Sequence, residues 1–275
     1  MIRVKQRLAR SSASLRRRLR VVALVVVCMA FSLPGAATTA SAAPLESAAP
    51  TSSPAAVAAA APTPAPVAAA TAAPQAAAIE TRQLNVPSYL QTYQLSCEES
   101  ALRMALASEG IQTTDAQVLA LIGVDSSGSY YDSSGLRWGD PYTSFVGDPN
   151  GSEVALTGYG TYYPTIARAA TLLGGQVLRA GQGITPADVY AAILAGHPVV
   201  AWVTYQWVIP RRADYTATDG RLVPYAGPVE HAVTVVGVTP TEVYVNNPDS
   251  GPEVISKATF EAAYATYNQM AVVLG

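Results

Sequence analysis

One thiol stands out in this sequence because its position could make it a nucleophile. Cys97 is the only cysteine after residue 42, so it has no disulfide partner in that part of the chain. It is therefore an inert buried residue, half of an intermolecular link, or a reactive group. A thiol attacks a carbonyl usefully only as the thiolate, and its pKa falls at a helix N-terminus or beside a histidinium.

The stretch SCEESALRMALASEG predicts a helix that begins at this thiol. Ser96 and Glu99 have the spacing of a capping box, apolar residues follow at helical intervals, and Gly110 ends the run. Cys97 then takes the first helical position, in the partial positive field of the backbone amides. The two glutamates after the cysteine oppose this effect unless they point away or pair, as Glu99 could with Arg103.

A histidine is the second requirement, and the sequence contains two. His197 lies between a glycine and a proline, a setting typical of a turn residue. His231 begins the apolar run HAVTVVGVT, which predicts a strand. Of the two, His231 is better placed to hold an imidazole on a rigid element.

An imidazole that acts as a base needs a partner to hold its tautomer, and polar residues follow His231 at a suitable interval. Asn246, Asn247 and Asp249 end the next predicted strand, EVYVNN. If the two strands form a hairpin, its open end brings these side chains beside the histidine. Alternation along a strand allows only one of the two asparagines to face the ring, and spacing alone does not say which.

Acyl transfer also needs donors for the developing oxyanion. The backbone N–H of Cys97 is one candidate. A side-chain amide just upstream is another, and both Gln91 and Gln94 are available.

The stretch VPSYLQTYQLSCEESALRMAL resembles the nucleophile motif of the papain-like cysteine peptidases. The closest branch is cysteine peptidase family thirty-nine, the bacteriocin-leader or double-glycine peptidases, with its secreted relatives. The resemblance covers nearly all of residues 84–275, and in that motif five residues separate a glutamine from the cysteine. It therefore implies the oxyanion role for Gln91, and the orienting role for Asn247, which directly precedes Pro248 after the block that contains His231.

Helices are predicted in the first half of the folded region and strands in the second, which indicates an α+β fold. The resemblance makes this a papain-like fold, with an N-terminal helical part carrying Cys97 packed on a C-terminal antiparallel sheet carrying His231. The helices are predicted at 97–109, 115–123, 164–175, 186–196 and 257–267, and the strands at 198–208, 231–239, 242–247 and 270–275.

The N-terminal third has a different composition. Residues 1–42 have a basic start, a short apolar run and a small-residue cleavage site, which predict a secretory signal peptide. Residues 43–82, rich in Ala and Pro, predict a disordered linker, either a stalk or a pro-segment. Residues 83–275 form the predicted peptidase-like domain.

Charge and location follow from removal of the signal peptide. The signal peptide contains eight of the 17 basic residues. The rest of the chain has nine basic residues and all 19 acidic ones, which gives a net charge of −10. This argues against nucleic acid as a partner. We expect a secreted, cell-surface or cell-wall-associated protein with no stable membrane span after cleavage.

The predicted function is that of an exported cysteine peptidase acting on a peptide or protein substrate. Its candidate catalytic residues are Cys97, His231, Asn247 and Gln91. No cofactor is predicted, and two histidines and one thiol lack the spacing of a metal site. A cell-wall amidase or acyltransferase with the same triad, and a non-catalytic peptide-binding module, are the alternatives.

Overall fold

The computed structural model describes residues 81–275. The predicted signal peptide and the predicted linker as far as residue 80 lie outside the described residues. Arg82, which the sequence places at the end of the linker, pairs with Val238 in the main sheet. Within residues 81–275, every helix is too short or too polar to cross a lipid bilayer.

Helices occur where caps and apolar spacing predict them. Thr114 and Thr185 each form a complete capping box, and Gly196 ends the second of these helices in the left-handed conformation. The helices of the described region are α1 Cys97–Ser108, α2 Asp115–Ile122, α3 Tyr163–Leu172, α4 Pro186–Ala195 and α5 Lys257–Ala265.

Strands form one large antiparallel sheet and two small ones. In chain order they are β1 Arg82–Gln83, β2 Val124–Asp125, β3 Tyr130–Asp132, β4 Gly135–Trp138, β5 Phe145–Val146, β6 Val177–Gly181, β7 Val199–Thr204, β8 Ala213–Ala217, β9 Leu222–Tyr225, β10 Glu230–Val238, β11 Glu242–Asn247, β12 Gly251–Ser256 and β13 Ala271–Leu274. The large sheet has the order β12-β11-β10-β7-β13-β6, and β1 also pairs with β10. The predicted α+β arrangement and the predicted hairpin of β10 and β11 are both confirmed.

Both faces of the large sheet are covered, which explains its nearly continuous apolar strands. Along β7, Val200 and Trp202 pack in the cluster that includes α1, whereas Val199, Ala201 and Val203 pack in the cluster that includes α4 and α5. The same alternation on β10 puts Ala232 on the α1 side and Val233 on the other. Glu230 and His231, which precede them, therefore project to opposite sides of the strand.

Two segments differ from the sequence prediction. The strand predicted over 198–208 stops at Thr204, and Tyr205–Trp207 form a 3₁₀ turn in which Gln206 has φ 54°. The segment 125–160, for which the sequence predicted no helix or strand, contributes β3 and β4 to a four-stranded sheet with β8 and β9. Both features depend on distant pairing, which local pattern does not reveal.

Candidate active site

The helix that starts at Cys97 is held by contacts from outside the helix. The predicted capping box is wrong, because the Ser96 side chain makes no hydrogen bond to the helix backbone. Ser96 Oγ instead accepts a hydrogen bond from Tyr93 N and donates to Asp115 Oδ2, at 3.1 and 3.2 Å. Thr92 N donates to the same Asp115 oxygen at 2.7 Å. Tertiary contacts with the start of α2 therefore take the place of the local cap.

Carboxylates surround the thiol. Cys97 Sγ lies 3.2 Å from Glu98 Oε2 and 3.9 Å from Glu230 Oε2. Cys97 is 5% exposed, and both glutamates are buried. Glu98 is fixed by Thr161 N, which donates to its Oε1 at 2.5 Å.

These neighbours overturn the expectation that the helix start lowers the thiol pKa. Burial raises the pKa of Cys97 well above its usual range, and the charges of Glu98 and then Glu230 raise it further, while the Ala232 amide lowers it. Burial also raises the pKa of Glu98 to about 7, although the hydrogen bond from Thr161 lowers it. The resting thiol is therefore protonated.

The suggested pairing of Glu99 with Arg103 is also absent. Arg103 forms an ion pair with Asp115 at 3.5 Å and stacks over the Tyr89 ring at 4.1 Å. Both oxygens of the buried Glu99 carboxylate have no hydrogen-bond partner. Burial, followed by the charge of Glu98, raises the pKa of Glu99, so it too favours the protonated form.

His231 is paired with Asn247. The ring Nε2 lies 2.8 Å from Asn247 Oδ1, which also accepts a hydrogen bond from Asp249 N at 2.9 Å. The Asn247 amide nitrogen donates to Glu253 Oε1 at 3.1 Å, and this fixes the orientation of the amide. Nε2 must therefore carry the proton, which leaves Nδ1 of the neutral ring free to accept one.

Further contacts hold His231 and Asn247 in place. Glu253 Oε2 accepts a hydrogen bond from Trp207 Nε1 at 2.9 Å. The Tyr205 ring meets the imidazole edge-on with centroids 5.5 Å apart, and its hydroxyl donates to Asp249 Oδ2 at 3.0 Å. Burial lowers the pKa of His231, and the hydrogen bond with Asn247 opposes this. Sequence reasoning missed Glu253 and Tyr205, and no local motif marks either residue.

The structure brings His231 and Asn247 together, but in this conformation no hydrogen bond joins Cys97 Sγ to either ring nitrogen among the described residues. Sγ points to the carboxylates of Glu98 and Glu230. A direct thiol–imidazole contact therefore remains a prediction.

Gln91 has a different set of partners from the one expected. Its side-chain nitrogen donates to the backbone oxygens of Tyr93 and Gln94, at 3.1 and 2.6 Å, so both amide hydrogens are in use. Its backbone N donates to Pro248 O at 2.8 Å, which places the residue beside the turn after Asn247. Gln91 lies near the orienting residue, but its amide is not free in this conformation.

Asn246 and His197, the other candidate residues, have other partners. Asn246 faces away from the ring and donates to Val86 O at 3.0 Å. The backbone of His197 bonds to Ala192 O just after α4, as expected of a turn residue. Only Asn247 of the two asparagines therefore bonds to the imidazole.

A helix that begins with cysteine, packed on an antiparallel sheet whose neighbouring strand carries histidine, defines the papain-like α+β class of cysteine peptidases. The family model described as Peptidase_C39 like family matches residues 83–272. The chain belongs to this family. No curated protein sequence matches it.

Three solved structures are similar to this chain, and the first of them shows the same fold. A candidate C39-like peptidase from Bacillus anthracis matches with a TM-score of 0.60 and 23% identity, over 71% of this chain and 98% of the other. The peptidase domain of Streptococcus ComA, a bifunctional ABC transporter involved in quorum sensing, matches with a TM-score of 0.41 and 13% identity, over 68% and 94%. A double glycine motif protease from an AMS/PCAT transporter, solved with its leader peptide, matches with a TM-score of 0.39 and 14% identity, over 70% and 91%.

The carboxylate next to the thiol gives a first prediction. Glu98→Gln keeps an oxygen for the Thr161 amide but removes the charge beside Sγ. At pH 8, above the Glu98 pKa of about 7, we expect iodoacetamide to alkylate Cys97 faster. One unit in the thiol pKa corresponds to about tenfold in rate.

Mass spectrometry of the peptide that contains Cys97, in buffer with EDTA, measures this rate. Glu242→Gln is the matched control, because Glu242 is exposed on β11. An unchanged rate in Glu98→Gln would mean that the carboxylate does not set the thiol pKa.

Close packing of the carboxylates against Gly160 gives a second prediction. A Cβ at this position would overlap Glu98 Oε1 and lie 3.1 Å from Glu230 Oε2. Gly160→Ala should therefore lower the free energy of unfolding by about 1–3 kcal/mol. Urea denaturation beside Gly128→Ala, where a Cβ meets nothing within 4 Å, tests this. Equal losses in the two variants would contradict it.

Proposed function

We propose that this chain is an exported cysteine peptidase that hydrolyses peptide bonds through a thioacyl-enzyme, with Cys97 as nucleophile, His231 as base and Asn247 as orienting residue. The observation that carries the proposal is the hydrogen bond from His231 Nε2 to Asn247 Oδ1, which leaves Nδ1 as a proton acceptor. The imidazole lies on β10, the strand against which the cysteine-bearing helix packs, since Thr234 Oγ1 donates to Ala101 O at 2.8 Å.

The reaction begins from a neutral thiol and a neutral imidazole. Sγ rotates away from Glu98 and Glu230 and gives its proton to His231 Nδ1. The thiolate attacks the carbonyl carbon, and the oxyanion is bound by the Cys97 N–H and by Gln91 after its amide leaves the Gln94 carbonyl. His231 then gives the proton to the departing amine as the C–N bond breaks, and water hydrolyses the thioester.

Access to the site requires movement. Cys97 is 5% exposed and His231 is 4% exposed, so a peptide reaches them only when neighbouring side chains open.

The experiment that tests the proposal is cleavage of a diverse peptide library, read by mass spectrometry. Cleavage of internal peptide bonds, lost after iodoacetamide has modified Cys97, supports a peptidase. Cleavage confined to cell-wall peptides or their cross-links points to the amidase or acyltransferase alternative. Saturable peptide binding with no cleavage points to a binding module and contradicts the proposal.

Export is a separate part of the proposal, supported by the basic, apolar and small-residue segments of residues 1–42. We infer cleavage after Ala42 and a secreted or wall-associated mature protein. N-terminal sequencing of the protein recovered from the culture medium and the cell wall tests this. Retention of residues 1–42 in the cytoplasm would overturn it.

The orienting residue gives a third prediction. Asn247→Ala removes the acceptor that holds the His231 ring, so kcat should fall by about 10- to 100-fold with little change in KM, because the ring loses its orientation. Asn246→Ala, whose amide bonds to Val86 O instead, is the matched control. Steady-state kinetics on one cleaved peptide provides the measurement. Equal losses in the two variants would remove Asn247 from the proposed triad.

A further inference from the structure

Three buried glutamates, two of them beside Cys97, have no cation to balance them within the described region. Glu98, Glu99 and Glu230 are each at most 3% exposed. Among the described residues, no lysine, arginine or histidine forms an ion pair with any of them. Buried carboxylates in such a setting require protons or a bound cation, since an uncompensated buried charge is costly.

Three of the polar atoms have the spacing of a metal site. Cys97 Sγ, Glu98 Oε2 and Glu230 Oε2 all lie within 4.8 Å of one another. The two sulfur–oxygen distances are 3.2 and 3.9 Å. In a tetrahedral zinc site, bond lengths of about 2.3 Å to sulfur and about 2.0–2.2 Å to oxygen place sulfur and oxygen ligands about 3.6 Å apart. The two carboxylate oxygens are up to 4.8 Å apart, so they would move toward each other to bind the same ion.

Unpartnered groups beside the cluster independently indicate a missing ligand. Glu230 Oε1, the second oxygen of a proposed ligand, has no hydrogen-bond partner, and neither has the buried Tyr267 hydroxyl. Burial raises the pKa of that hydroxyl, and the charges of Glu230, Glu153 and Cys97 raise it further.

We propose that Cys97, Glu98 and Glu230 bind one divalent cation of the zinc class in this conformation. The thiol proton and the protons that the buried carboxylates hold leave to solvent as the bonds to the metal form, so one thiolate and two carboxylates meet a 2+ ion. The thiolate favours Zn²⁺ over Mg²⁺ or Ca²⁺, which prefer oxygen ligands. Water takes the fourth position. Sequence spacing did not suggest this site because Glu230 is 133 residues away from Cys97.

A regulatory consequence rests on the proposed peptidase function. The metal holds Sγ on the carboxylate side, away from His231, so zinc inhibits cleavage reversibly and a chelator restores it. Binding itself does not depend on activity, so the two hypotheses can fail separately.

The test is metal binding by the full chain after treatment with a chelator. Equilibrium dialysis against Zn²⁺ should show one bound equivalent, and Co²⁺ should produce a thiolate-to-cobalt charge-transfer band in the near ultraviolet. Cys97→Ala should abolish the band, and Glu230→Gln should weaken binding by at least ~10-fold. Glu242→Gln, an exposed glutamate on β11, should bind as the wild type does.

A second measurement uses the unaltered protein, so its result does not depend on whether the variants fold. Zn²⁺ should slow alkylation of Cys97 by at least ~10-fold, while Ca²⁺ should leave the rate unchanged. Absence of the cobalt band together with unprotected Cys97 would overturn the proposal and leave protons as the charge balance. Stoichiometric zinc binding that survives Cys97→Ala would also overturn it.

Discussion

Cys97→Ala should reduce peptide cleavage by at least ~10³-fold, because no other group can form the thioacyl-enzyme. The residue is the only cysteine of the described region, and it begins the helix packed on the histidine-bearing strand. The loss should appear in kcat, measured with a peptide identified from the library. KM should change little if the thiol contributes little to substrate binding.

The same substitution should leave the fold intact. It removes one sulfur from a neighbourhood of carboxylates, and we expect the free energy of unfolding to change by only about 1 kcal/mol. Circular dichroism and thermal unfolding provide this control. A folded Cys97→Ala protein with wild-type turnover would contradict the proposed peptidase mechanism.

His231→Ala should lower kcat by about 10²- to 10⁴-fold, the range expected for loss of a general acid–base group. Because the ring also bonds to Asn247, a second variant separates chemistry from structure. His231→Gln keeps a donor for Asn247 Oδ1 but supplies no proton acceptor, so it should be nearly as slow. His197→Ala, at the turn after α4, is the matched control and should keep normal kinetics.

Glu98 is a second possible proton acceptor in the structure. Comparison of the Glu98 and His231 variants decides which of the two residues is the base. Glu98 Oε2 lies 3.2 Å from Sγ, whereas no hydrogen bond joins Sγ to the imidazole in this conformation. If Glu98 were the base, Glu98→Gln would lose turnover and His231→Ala would keep most of it. We expect the reverse, because a deprotonated Glu98 raises the thiol pKa while His231 Nδ1 is free to accept the proton.

Local sequence was sufficient where structure depends on near neighbours. The helices that begin after Thr114 and Thr185, and the hairpin that brings Asn247 toward His231, follow from spacing along the chain. Local signals failed where a distant residue competes for the same group. Ser96 bonds to Asp115 at the start of α2 instead of capping its own helix.

The sequence by itself indicated the class of protein through its resemblance to the papain-like cysteine peptidases. It also indicated the candidate nucleophile, since one thiol before a helical pattern and one histidine at a strand start are local features. The tertiary structure alone decided the electrostatic state of that thiol. A pKa depends on burial and on charges within a few ångströms, and Glu230, which acts on Cys97 together with its neighbour Glu98, reaches it only through the packing of α1 on β10. The pairing of β10 with β11 places the Asn247 amide beside His231.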